Sequence, residues 1–177
     1  MSATTTVDRP YPPLLDWLAN QDVEYEVHEH DPAFTARATA TAEGVDPRTF
    51  AKVVGVATHD GLHILVVLDA TDQLDLQKAR RALGASDVRL LTEAELTALA
   101  PSCEEGAIPA VGSLFGLATY ADYGVRDDPE ISFNAGSHRF SARVERAAWE
   151  RACGVIYADF YAEFAAADDH GPAWARS

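Results

Sequence analysis

Positive charge is what this sequence has least of. Its 177 residues carry 14 Lys and Arg against 28 Asp and Glu, a formal charge of −14, and its only lysines are Lys52 and Lys78. A surface that negative repels a phosphate backbone at long range. Sequence-independent coating of nucleic acid, DNA included, is therefore excluded, and any nucleic-acid contact has to use a local basic patch. Cysteine is also scarce. Cys103 and Cys153 stand outside any CxxC pair, so neither a disulfide framework nor a structural zinc is indicated, and the usage leans to a reducing cytoplasm. No run of about 18 apolar residues exists to span a membrane, and Met1–Pro13 is polar and Pro-bearing where a signal segment would be apolar. There is no HExxH, no Gly-x-Ser-x-Gly elbow and no P-loop lysine.

What is present suits one domain. Hydrophobic residues make up 47%, enough for a sizeable core in a chain of this length. The reading is a flexible arm over 1–12, a domain over 13–165 and a loose tail over 166–177. Pro12–Ala19 reads as a short helix with proline at its start, and Val23–His28 alternates like a half-buried strand. Ala36–Glu43 and Leu74–Leu83 read as helices stopped by Gly44 and Gly84. Thr49–Thr58 and Leu62–Leu68 are Val-rich runs on either side of His59-Asp60-Gly61, a hairpin signal. Val88–Leu91 is a strand, and Thr92-Glu93-Ala94-Glu95 opens a capped helix through Leu99. Glu105–Gly112 is a loop. Ser113–Tyr120, Ile131–Phe133 and Phe140–Val144 are strands, and Glu145–Ala152 is a helix. A hairpin at the centre breaks any βαβ alternation. The fold class is α+β, a single domain with a mixed, barrel-like sheet flanked by short helices.

Several residues could carry chemistry. Lys52 lies inside the apolar run Phe50–Val56; it is either an outward residue with its stem along the sheet or an anion ligand at a pocket mouth. Gly106–Gly112, with Pro109, is either a plain turn or a loop that aims backbone N–H groups at a developing oxyanion. Asn134-Ala135-Gly136-Ser137-His138-Arg139 ends a strand in small residues. Adjacent Ser137 and His138 point to opposite faces on an extended chain, so they are not a catalytic pair by themselves. His28, His30 and His138 offer a metal-site alternative without a recognised ligand spacing. Lys78, Arg80 and Arg81 on one helix, with Arg139, Arg143 and Arg146 near the third segment, form the one plausible phosphate-facing surface, unless Asp72, Asp75 or Glu93 neutralise them.

Taken in order, these segments resemble the YbaK-type aminoacyl-tRNA deacylases, the family that includes the editing domain of bacterial prolyl-tRNA synthetases. The likeness runs from about Val23 to Val144. It is carried by Val27-His28-Glu29-His30, Phe34-Thr35-Ala36, Ala51-Lys52-Val53-Val54, Leu74–Lys78, the Gly106–Gly112 loop, Tyr120-Ala121-Asp122 and Asn134–Arg139. The resemblance implies hydrolysis of the ester joining a wrong amino acid to the 3′-terminal adenosine of a tRNA. It gives Lys52 the phosphate of the acceptor end and gives Gly106 and the following backbone the ester carbonyl. His138 joins them as the third catalytic position. Thr35, His28, Ala107, Ile108, Pro109, Gly112, Asn134, Gly136 and Ser137 would line the substrate. Ile108 and Ala110 beside Pro109 depart from the residues many relatives carry there, at the part of the loop that meets the amino acid.

An activated ester needs only a positioned water and oriented N–H donors. The expectation is therefore a free-standing trans-editing deacylase of the cytoplasm, with no metal, no cofactor and a mischarged tRNA acceptor end as partner, with or without a synthetase. Two alternatives stand beside it: a non-catalytic module binding aminoacyl-tRNA or a synthetase, and a metal-dependent hydrolase using His28, His30 and His138.

Overall fold

The computed structural model describes residues 9–162. Along them run α1 (Pro12–Asn20), β1 (Tyr25–Glu29), α2 (Ala36–Glu43), β2 (Ala51–Thr58), β3 (His63–Asp69), α3 (Leu76–Leu83), β4 (Val88–Leu90), α4 (Glu93–Leu99), β5 (Ala118–Asp122), β6 (Glu130–Ser137), β7 (Phe140–Glu145), α5 (Arg146–Cys153) and β8 (Ile156–Ala158). The tail read at 166–177 lies outside the described residues. Of the segment read as an arm, Tyr11 donates its N–H to Ala135 O at 2.8 Å and stacks on Phe115 with centroids 6.3 Å apart.

The domain is α+β, and its strands make two sheets without closing a barrel. One is three-stranded and antiparallel, in the order β1-β7-β6; the other has the order β4-β2-β3-β5-β8. In the larger sheet the β4-β2-β3 pairs are antiparallel and the β3-β5-β8 pairs parallel. A parallel bridge between Phe50 and Ser132 brings the start of β2 beside β6.

Local chemistry sets most of these boundaries. The Asp-Gly turn closes the β2–β3 hairpin, with Thr58 N–H donating to Leu62 O at 2.8 Å. Thr35, Asp75 and Thr92 cap α2, α3 and α4 through side-chain oxygens, and Glu95 completes the capping box at Thr92. The run 113–120 is not one strand. Gly112–Phe115 is a 3-10 turn, because Gly112 sits against Leu117 O and Thr119 Oγ1 and donates its N–H to that hydroxyl. Extended pairing resumes only at Ala118. β6 is longer than Ile131–Phe133, since its small residues continue to pair with β7 across a register shift between Asn134 and Ser137.

Two apolar clusters lie on opposite sides of the larger sheet. Ala51 and Val53 join Ala110, Val111, Phe133 and Trp149 in the first, with Leu14 and Leu18 of α1. Val54 and Val56 join Val66, Leu68, Ala79 of α3 and Phe160 in the second. Trp149 is fully buried, and its indole N–H donates to Ala110 O at 2.7 Å. That contact satisfies its one donor and ties α5 to the loop after Pro109.

Candidate active site

The site is built where the end of β6 meets the loop before Pro109. Gly136 has φ +83°, and a Cβ there would stand 2.7 Å from Tyr11 Cβ and 3.3 Å from Cys103 Sγ, so the position admits no side chain. Its carbonyl accepts Glu104 N–H and its own N–H donates to Ala107 O, both at 2.9 Å. This pair of bonds fixes residues 104–107 against β6. The Glu104 carboxylate then reinforces the turn: it accepts the His138 backbone N–H at 3.1 Å and the Ser137 hydroxyl at 3.4 Å. Ser137 Oγ in turn accepts Arg139 N–H at 3.1 Å.

His138 bridges two walls. Its Nδ1 lies 3.0 Å from Ala33 O and its Nε2 2.6 Å from Glu105 O. Carbonyls only accept. A neutral imidazole has one N–H and satisfies one of these contacts, whereas an imidazolium satisfies both. The residue is 7% exposed. Gly106, at φ +78°, passes beside it, its would-be Cβ 3.6 Å from His138 Cε1. Among the described residues the N–H groups of Gly106 and Ile108 donate to no protein acceptor. Phe34 packs over His138, ring centroids 4.8 Å apart and tilted by 47°, while 74% exposed.

The other predicted residues fall around this corner in different ways. Thr35 is the exposed N-cap of α2, its hydroxyl accepting Ala38 N–H at 3.0 Å. Ala107, Pro109 and Gly112 are buried in the loop and Ile108 is half-buried. Asn134 is buried, and its Oδ1 has no partner among the described residues. His28 lies 3.2 Å from Glu26 and 3.9 Å from Glu43. His30 Nδ1 meets Asp31 O. The rings of His28, His30 and His138 thus engage three different sets of partners, and no group of three His, Cys, Asp or Glu among the described residues is placed to hold a metal.

Lys52 shares its face of β2 with Val54 and Val56, away from Ala51 and Val53. Its ammonium donates to Asp72 O, in the turn before α3. Burial lowers its pKa, with the Asp72 charge opposing. The Phe50–Ser132 bridge leaves Lys52 and Asn134 each two residues further along neighbouring chains. No described hydrogen bond joins Lys52 to the His138 corner. Lys78 pairs with Asp159 at 2.9 Å, and Arg139 with Glu29 at 3.2 Å. Arg80 and Arg81 form no ion pair among the described residues; Arg80 donates to Gln77 Oε1 and Arg81 to Gln77 O. They line a surface cleft of about 510 Å³ with Gln77, Gly84 and Ala85. Burial pushes both cysteine thiols up to about 12, so neither supplies a thiolate at neutral pH.

Glu104 and Phe34 are the residues that sequence reasoning missed as parts of the site. Glu104 is hidden by its abundance class, one acid among 28. Phe34 carried a faint signal, a lone aromatic directly before a helix cap.

Comparison with known proteins agrees with this fold. Among curated proteins no match is found. Solved structures share the fold. One is a protein proposed to be a trans-editing enzyme for prolyl-tRNA synthetase, 23% identical, covering 88% of this chain and 100% of that one, with TM-score 0.74. A hypothetical protein is 18% identical over 85% of this chain and 99% of its own, with TM-score 0.77. A scaffold protein from computational epitope grafting is 23% identical over 87% and 99%, with TM-score 0.71. The family described as aminoacyl-tRNA editing domain matches residues 30–152, which include α2, the Gly106 loop and the His138 corner, and the chain belongs to that family.

Proposed function

We propose that the protein is a free-standing deacylase that hydrolyses the ester of a mischarged tRNA, with water as nucleophile. The observation that carries this reading is the Gly106–His138 corner within a matched editing domain. Two backbone N–H groups without an acceptor among the described residues, at Gly106 and Ile108, stand on either side of Ala107, and Gly106 has no side chain to fill the space a substrate carbonyl would take. As water oxygen bonds to the ester carbon, charge gathers on the carbonyl oxygen, and donors already oriented there stabilise it without reorganising. The carbon–oxygen bond to the terminal ribose then breaks. The ribose oxygen leaves with a proton derived from the water, and the acid is released. No residue needs to form a covalent intermediate.

His138 in this scheme is a positioning residue. With both ring nitrogens facing carbonyls, it holds the loop against the wall at Ala33 and has no lone pair directed at open space. Glu104 supports the same corner from behind. Asn134, Gly136 and Ser137 line the amino-acid side of the site, and Lys52 contributes a cation for the acceptor-end phosphate, as the family resemblance implies. The reaction belongs in the cytoplasm, where tRNA is charged; among the described residues no helix is long and apolar enough to cross a membrane.

The test is release of amino acid from tRNA species charged with Ala, Cys or Ser, with and without chelator. Turnover that survives chelation is expected; a folded protein inert on a wide panel of mischarged tRNAs refutes the reading. Lys52→Ala should slow hydrolysis about ten- to hundredfold, the worth of one charge-assisted contact. Full rate in that variant removes Lys52 from the site.

A further inference from the structure

Phe34 has no structural reason to be where it is. A large apolar side chain left 74% exposed gains little from burial. It stands just before the Thr35 cap, where an apolar residue usually staples onto the fourth helical position. That position is Thr39, which is buried with its hydroxyl donating to Thr35 O, so no staple forms. Among the described residues the one ring-to-ring contact of Phe34 is with His138.

Arg37 breaks a second local rule. It occupies the first turn of α2, where the helix dipole disfavours a cation, and no acid shares that turn. It is exposed and makes no ion pair among the described residues. An aromatic ring and a cation thus stand three residues apart at the start of α2, and the ring lies on His138, beside the loop whose amides await an acceptor.

We propose that Phe34 and Arg37 form a nucleotide shelf, on which the terminal adenine of the acceptor end stacks against the Phe34 ring while Arg37 meets its 5′-phosphate. The inference rests on the deacylase reading and deepens it, by stating which part of the substrate the enzyme grips. Every tRNA ends in adenosine, and the ester to be cut hangs from that same nucleoside. A base on Phe34 therefore presents its ribose next to His138 and the Gly106 amides. Base–aromatic stacking tolerates any base, so the shelf confers grip and placement, while the amino acid is discriminated elsewhere.

The experiment compares wild type, Phe34→Ala, Phe34→Trp and Arg37→Gln on three substrates carrying one amino acid: the charged tRNA, the aminoacyl ester of AMP and a glyceryl ester that has no base. Phe34→Ala is expected to lower kcat/KM on the AMP ester about tenfold, through KM, and to cut the preference for the AMP ester over the glyceryl ester by the same factor. Phe34→Trp should retain that preference. Arg37→Gln should reduce the salt slope of tRNA binding by about one contact. Equal losses on the AMP and glyceryl esters, or a Trp variant as poor as Ala, overturn the shelf. If the wild type hydrolyses none of the three, the deacylase reading fails, and an NMR titration with AMP against ribose 5-phosphate decides the shelf alone. Shifts at Phe34 and His138 with AMP only, lost in Phe34→Ala, uphold it; their absence overturns it.

Discussion

Gly136→Ala is the sharpest perturbation of the corner, because two separable costs meet there. Alanine at φ +83° sits in the left-handed region, at about 1–2 kcal/mol. Its methyl would also lie 2.7 Å from Tyr11 Cβ, 3.3 Å from Tyr11 Cγ and 3.3 Å from Cys103 Sγ. Tyr11 has little freedom to retreat, since its N–H is bonded to Ala135 O and its ring stacks on Phe115. Overpacking of that kind costs about a further 1–3 kcal/mol. Gly154→Ala supplies the control: φ there is +62°, with nothing within 4 Å of the new methyl, so only the backbone cost of about 1–2 kcal/mol applies. Urea unfolding of both variants, analysed at equal m, should place Gly136→Ala about 1–3 kcal/mol below Gly154→Ala. Because Gly136 also holds Glu104 and Ala107 through its backbone, deacylation should fall in the variant while it is still folded. Equal stabilities for the two alanine variants would refute the close approach, and with it the account of how the loop is pinned.

Two further predictions concern the polar supports. The Glu43 side chain is 3% exposed and accepts hydrogen bonds from Ser141 at 2.6 Å and Arg143 at 3.2 Å, fastening α2 to the three-stranded sheet. Glu43→Ala should cost about 3 kcal/mol, the low end for a broken buried pair because Arg143 is partly in water; a thermal melt showing no loss removes that fastening from the argument. Burial, then the charges of Asp128 and Asp72, push the Asp69 carboxyl from 3.8 up to about 8. A proton held more tightly folded than unfolded adds stability that is whole below the unfolded value and lost as pH rises through the folded one. Stability should therefore decline between about pH 4 and pH 8, and Asp69→Asn should flatten that decline; parallel slopes for wild type and variant across that window exclude Asp69 as its source.

Much of the fold was legible because local chemistry agrees with tertiary structure at those points. Asp60-Gly61, the Thr92–Glu95 box and the stops at Gly44 and Gly84 each act through neighbouring atoms, so a sequence displays them. β8 and the 3-10 turn at Gly112 depend on distant partners, Tyr120–Asp122 for the one and Leu117 and Thr119 for the other, and nothing within their own residues announces them. The same division runs through the site. Gly106, Ser137 and His138 belong to recognisable segments, and the structure joins them. Glu104 acts across 34 residues to reach His138, and Phe34 across a wider gap, so neither advertises its role. Lys52 was read from its strange place in an apolar strand, yet strand alternation and the Asp72 carbonyl decide where its ammonium goes.

The acidity that excludes a coating role sets the manner in which nucleic acid can be met. Lys78, Arg89, Arg139, Arg143 and Arg146 are each matched to a carboxylate. Arg37, Arg80 and Arg81 have none among the described residues, and each sits in an end turn of its helix, open to solvent. With Lys52 these make four contacts on a single-stranded end and predict a slope of log K against log salt of about −3, against far steeper values for proteins that hold RNA by a basic surface. Binding is then weak, and recognition falls to the site that grips the terminal nucleotide and its ester. Fluorescence anisotropy of labelled tRNA over a KCl series measures the slope, and the double variant Arg80→Ala with Arg81→Ala should bring it to about −1.4, two contacts remaining. A wild-type slope near −5, or a slope the double variant leaves unchanged, would mean that a different surface carries the RNA.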